Sequence, residues 1–175
     1  MNKQGFTLTE VLTTVLIIGI LTSIAMPKYM RAVERARATE AMSSIKALND
    51  SIYAYYTDKE TCPERFNQLV AKLPSHGDNE GNSAAILNTK NFKFGFVYWD
   101  TALVPGTDCN GAIAIRRGSS YSYAIWNPYT RGTTGEALAL QCAPMDASDE
   151  RSKAICESLG LYREGGAAPT KSGQE

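Results

Sequence analysis

Seventeen consecutive residues, Val11 to Pro27, carry no charge, and most are Val, Leu, Ile, Ala, Met or Gly. An apolar run of this length sits at the short limit for a helix that crosses a bilayer. Extending it back through Phe6 makes 22 residues with one acid inside, Glu10. A short polar leader, MNKQG, precedes it. Pro27 removes a backbone donor and should kink a helix, yet the helical pattern resumes behind it as KYMRAVERARATEAMSSIKALNDSIYAYY. There Val33, Ala36, Ala41, Ile45, Leu48, Ile52 and Tyr55 recur at three-, four- and five-residue steps, with charges on the other faces. A single rod from about Phe6 to Tyr56 would be roughly 75 Å long. Its first half suits lipid or partner helices, and its second half suits one side of a globular domain.

The remainder reads as one soluble domain. Residues 60–91 are rich in loop, with a short helix expected over PERFNQLVAKL between Pro63 and Pro74. Strand-like runs follow at 92–99, 111–117, 121–126 and 136–142, with Gly118-Ser119-Ser120 as a hairpin turn. The fold class expected is α+β: a long kinked N-terminal helix packed on a four-stranded antiparallel sheet. A last short helix over SDERSKAICESL is expected to be capped by Asp146 or Ser148 and ended by Gly160. The tail from 165 to 175 has no apolar periodicity and is expected to be disordered.

Cys62, Cys109, Cys142 and Cys156 form an even count without a CxxC pair, and His76 is the only histidine. That composition favours two disulfides in an oxidising compartment over a metal site. Pairing Cys62 with Cys109 and Cys142 with Cys156 closes two local loops; the other two connectivities remain open. The basic residues Lys28, Arg31, Arg35 and Arg37 crowd the flank after the apolar run, whereas Lys3 alone marks its start. By charge bias the following domain would stay in the cytoplasm. The cysteines argue for export, and Glu34 and Glu40 partly offset the basic flank.

The opening GFTLTEVLTTVLIIGILTSIAMP resembles the N-terminus of type IV pilins and pseudopilins. The resemblance implies cleavage between Gly5 and Phe6 by a prepilin peptidase, which also methylates the new Phe6 amine. It implies that Glu10 sets register against a neighbouring subunit, and that Gly19 and Pro27 bound a part of the helix that unwinds in filaments. Thr9 stands where the family more often has Ile, away from the cleavage residues. Four segments follow: a leader 1–5, a transmembrane and filament-core helix 6–27, an amphipathic helix with globular head 28–164, and the tail 165–175. The partners implied are identical or related pilin subunits, the peptidase, the inner-membrane assembly machinery and, before assembly, membrane lipid. The resemblance places the precursor in the bacterial inner membrane with its C-terminal domain exported, and the product in an extracellular pilus or periplasmic pseudopilus. It leaves any extracellular ligand unidentified.

Elementary energetics supports the role of Glu10. A carboxylate inside a bilayer costs about 2.5–3.5 kcal/mol on insertion scales and needs a partner. The only charge that cleavage creates nearby is the Phe6 amine, of the same chain or of the next. Two other functions compete. A type II secretion pseudopilin would share the motif. A secreted binding domain would instead follow a cut by ordinary signal peptidase after Ser23-Ile24-Ala25. No GxSxG, HExxH or phosphate-cradling loop occurs, so neither an enzyme nor a cofactor is expected. Eight of the eleven Tyr and Trp residues, Tyr53, Tyr55, Tyr56, Trp99, Tyr121, Tyr123, Trp126 and Tyr129, read as core more than as a ligand platform. Arg116-Arg117 reads as a solvated hairpin spot, and the sequon Asn49-Asp50-Ser51 as accidental on a half-buried helix.

Overall fold

The computed structural model describes residues 6–74, 86–96, 109, 111–116, 118, 120–127 and 140–162. The leader 1–5, the loop 76–83 with His76, the strand portions 97–99 and 136–140 except 140 itself, residues Arg117 and Tyr129, and the tail 165–175 lie outside the described residues. One helix, α1 (Leu8–Lys59), runs for 52 residues and continues through Pro27. Thr7 caps its start in an extended conformation, and Glu60 ends it in the left-handed region, donating its N–H to the Tyr56 carbonyl at 2.8 Å.

On α1 the buried apolar stripe is Ala38, Ala41, Ile45, Leu48 and Ile52, in steps of three and four. Ala36, expected on this face, is exposed. It lies two residues from Ala38, about 200° round the helix. Counting back four residues from Ala38 instead reaches Glu34, which is buried.

Among the described residues five strands, not the four expected, form the sheet. They are β1 (Ile86–Asn88), β2 (Phe92–Phe96), β3 (Ala112–Arg116), β4 (Tyr123–Trp126) and β5 (Gln141–Pro144), each antiparallel to its sequence neighbours. The additional strand, β1, is too short to show alternation, and a turn at Thr89 folds it onto β2. One face of the sheet lies on α1, where Phe92, Phe94, Tyr123 and Ile125 join the helix stripe. On the other face Ile113, Ala124, Trp126 and Ala143 form a second buried cluster. Tyr123 and Trp126 thus belong to the core, and Tyr53 is exposed.

The helix expected between Pro63 and Leu73 is a single 3-10 turn, Phe66–Gln68. Side chains take the backbone groups a helix would have used. Gln68 Oε1 accepts from the N–H groups of Glu64 and Arg65 at 2.8 Å each. Ser51 Oγ accepts from Val70 and Ala71 at 2.9 and 3.2 Å. Phe66 is buried and stacks on Phe96, with ring centroids 4.5 Å apart. Val70 points to solvent.

The closing helix, α2 (Glu150–Ser158), is capped by Asp149 rather than by Asp146 or Ser148. Asp146 spends its carboxylate on the N–H and hydroxyl of Ser148 at 2.9 and 2.7 Å, while Asp149 accepts from Arg151 and Ser152. Gly160, with φ +69°, turns the chain out of α2 in a conformation that favours glycine. Cys62 is bonded to Cys109 and Cys142 to Cys156, so the first disulfide ties the end of α1 to the approach to β3, and the second ties β5 to α2.

Candidate functional site

Among the described residues nothing covers the N-terminal half of α1. Phe6 and Leu8 are 88% and 82% exposed, and Val11 to Met30 stay exposed along every face. The helix is long and apolar enough to cross a membrane. Three of its hydroxyls are returned to the helix itself: Thr13 donates to the Thr9 carbonyl at 2.9 Å, Thr14 to Val11 at 2.8 Å and Ser23 to Ile20 at 2.7 Å. A surface of this kind presents hydrocarbon with its polar groups satisfied, which suits lipid or another apolar helix. Gly19 has open space around it, so packing within this chain makes no demand for a glycine there. Pro27 lacks the N–H that would reach the Ser23 carbonyl.

Glu10 lies in the first turn, four residues from Phe6. The structure joins it to Thr7: Glu10 Oε2 accepts from the Thr7 N–H at 2.8 Å and its hydroxyl at 2.7 Å, and the Glu10 N–H donates to Thr7 Oγ1 at 3.3 Å. This reciprocal capping box satisfies helix-end donors. Phe6 and Glu10 are therefore close in the chain but not paired. Gly19 and Pro27 lie further along the same bare rod, and the cysteines all lie at the head.

A second constellation holds the head to the rod. Glu34, 1% exposed, accepts from Arg116 Nε, from Arg116 Nη2 at 2.9 Å, from the Tyr123 hydroxyl at 2.9 Å and from Arg37 Nη1 at 3.1 Å. Arg116, whose side chain is 7% exposed, also donates to the Asn91 carbonyl at 2.9 Å and lies 5.6 Å over the Phe92 ring. Burial alone would raise the Glu34 carboxyl. The Arg116 and Tyr123 hydrogen bonds, the Arg116 charge and Arg37 outweigh it and hold the carboxyl below its ordinary value. Burial, with the Glu34 charge and hydrogen bond, pushes the Tyr123 phenol far up, so it stays a neutral donor. Such a network contributes geometry more than stability, since desolvating two charges offsets much of their attraction.

Reading Arg116 as a solvated hairpin residue missed this network, and Glu34 was read only as an offset to the basic flank. Two signals were present. Glu34 continues the stripe of Ala38, Ala41 and Ile45, and Arg116 alternates with Ala112 and Ala114 on one face of β3. An acid and a base on facing core positions imply a buried pair. The side chains of the sequon are likewise taken up by the fold: Asn49 and Ser51 are buried, and Asn49 Oδ1 accepts from the Ala112 N–H at 2.8 Å. Among the described residues no cluster of His, Cys, Asp or Glu is placed to hold a metal.

Comparison with known proteins extends the picture. The family described as the prokaryotic N-terminal methylation motif matches residues 1–26. Fimbrial protein EcpC of Eikenella corrodens is 30% identical over 146 residues, covering 83% of this chain and 78% of that protein. Type IV major pilin protein PilA of Myxococcus xanthus is 32% identical over 80 residues, 46% of this chain and 36% of its own length. Type II secretion system core protein G of Aeromonas hydrophila is 38% identical over 62 residues, 35% of this chain and 43% of its own.

Proposed function

Because the chain belongs to the type IV pilin family and is a pilin-like subunit, we propose that its precursor is cut between Gly5 and Phe6, methylated on the new amine and polymerised through residues 6–27. The observation that carries this reading is the bare apolar half of α1, which its own head leaves uncovered. Lipid covers it in the membrane-anchored precursor, and related subunits cover it in the assembled multimer. The prepilin peptidase and an inner-membrane assembly machinery act on the chain, which serves as their substrate and is not itself an enzyme.

Glu10 supplies register in this scheme. Its carboxylate is held by Thr7 in the separate subunit. On assembly it meets the Phe6 amine of the next copy, which removes an otherwise costly intramembrane charge. Gly19 and Pro27 bound the stretch that unwinds to accommodate neighbours. An extracellular pilus is favoured over a periplasmic pseudopilus, because similarity to a fimbrial protein runs through most of the head, whereas core protein G matches only 62 residues.

Intact-mass measurement of protein sheared from the cell surface tests the processing. The expected chain begins at Phe6 and carries one added methyl group. A chain beginning at Met26 would replace this reading with a secreted domain released by ordinary signal peptidase.

A further inference from the structure

The basic flank behind the apolar run has two fates. Arg37 is committed to Glu34, whereas Arg35 is exposed. Lys46, Asp50 and Glu40 are exposed as well, at about 20°, 60° and 140° round the helix from Arg35. Among the described residues none of these four has an ion-pair partner.

Their spacing matches the displacement that the amine–Glu10 contact sets. Placing the Phe6 amine of one copy level with Glu10 of the next shifts the two helices by four residues, about 6 Å. At that shift Lys46 of the first copy comes level with Asp50 of the second, and Arg35 comes one residue, about 1.5 Å, short of Glu40. The azimuths agree. Behind Pro27, at about 100° per residue, Arg35 and Lys46 fall within about 20° of one another, and Asp50 and Glu40 lie within about 80° of one another on the adjoining side. One stripe carries the two cations, and the adjoining one carries the two carboxylates. Lys28 meets no carboxylate at this displacement, and Arg31 comes within one residue only of Glu34, which is buried and already paired, so neither takes part.

We propose that α1 carries a second register contact outside the membrane, in which Arg35 and Lys46 of one copy pair with Glu40 and Asp50 of the next copy of this chain. The proposal rests on the amine–Glu10 register given above and extends it from one pair to three along a single helix. The two stripes differ, so the contact is head-to-tail and does not close on a dimer. Each added subunit repeats it.

Charge reversal in the full-length chain, expressed in its own filament-forming host, tests this. Arg35→Glu and Glu40→Arg are each expected to lower the yield of sheared filaments about tenfold, because each places like charges opposite one another at every subunit contact. The combined variant is expected to recover to within about twofold of the parent. Residues five apart face directions about 140° apart on one helix, so recovery cannot come from within a chain. Lys46 and Asp50 lie four apart and can meet on one helix, so for them the single reversals Lys46→Glu and Asp50→Lys are the test, and unchanged urea midpoints of the detergent-solubilised variants confirm that the head remains folded. Single reversals that assemble normally overturn the proposal. So does a combined variant as poor as its parents, the result expected if Arg35 instead contacts anionic lipid headgroups. Glu10→Gln, run alongside, separates the two levels: if it lowers assembly while the reversals do not, only this second contact fails.

Discussion

Replacing Glu34 by Ala removes the acceptor of four hydrogen bonds and leaves the Arg116 guanidinium buried with its charge uncompensated. Breaking a buried ion pair from one side costs about 3–5 kcal/mol. Tyr123→Phe loses one bond to a charged group, worth about 1.5–3 kcal/mol. Removing both charges together, as Glu34→Leu with Arg116→Met, is expected to cost clearly less than Glu34→Ala, because no charge is then stranded. Urea unfolding of full-length protein in detergent micelles reads these values, with near-ultraviolet circular dichroism reporting the packing of the buried Tyr123 and Trp126. The pH dependence follows from the lowered Glu34 carboxyl. A depressed folded-state value contributes stability that is complete above the ordinary carboxyl value of 4.5 and is lost as pH falls through the folded value. The parent should therefore lose stability below pH 4.5 more steeply than Glu34→Gln, which has nothing to titrate there. A Glu34→Ala protein within about 1 kcal/mol of the parent, or a double variant worse than the single, refutes the argument that a stranded charge dominates.

Glu10→Gln should be processed normally and accumulate in the membrane at parental levels or above, since a costly charge is gone, while sheared filaments decline. Immunoblots of the two fractions decide this, and undiminished filaments would leave Glu10 without a register role. Replacing each cysteine pair by serine should cost about 4 kcal/mol for Cys62–Cys109 and about 3 kcal/mol for Cys142–Cys156, from the 47- and 14-residue separations they close. Calorimetry giving the reverse order would remove loop entropy as the explanation. Asn49→Ala should cost about 1–3 kcal/mol in urea unfolding, because the buried Ala112 N–H loses its acceptor.

The long helix was legible because its period survives from Ala41 to Ile52, and the N-terminal run because nothing interrupts its apolar character but Glu10. Strands β2, β3 and β4 announced themselves through alternation or aromatic content. Strand β1 did not, since three residues cannot display a period, and its pairing depends on the Thr89 turn and on β2 beside it. Tertiary capture overrode local propensity in PERFNQLVAKL, where Ser51, far back on α1, accepts the Val70 and Ala71 N–H groups. The Asp149 cap was hidden by two neighbouring residues of similar capping ability, Asp146 and Ser148, and only the Asp146–Ser148 turn decides among the three. The Glu34–Arg116 pair was hidden because both residues are charged, and charge was read as exposure. Their positions within two buried periodicities said otherwise.

Strand β3 lies along α1 and is fastened to it at three heights: by the Cys62–Cys109 bond at its approach, by Asn49 to the Ala112 N–H, and by Glu34 to Arg116 at its end. Glu34 and Asn49 are fifteen residues apart, about 22 Å of helix. A pull along the rod would drag the head lengthwise against all three fastenings at once, in shear, so that none can open by peeling before the others bear load. The covalent fastening sits at the end farthest from the apolar half. Reducing it would leave the other two at their posts but free the far end of the strand, and a clamp gripped at both ends would become a hinge anchored near Glu34.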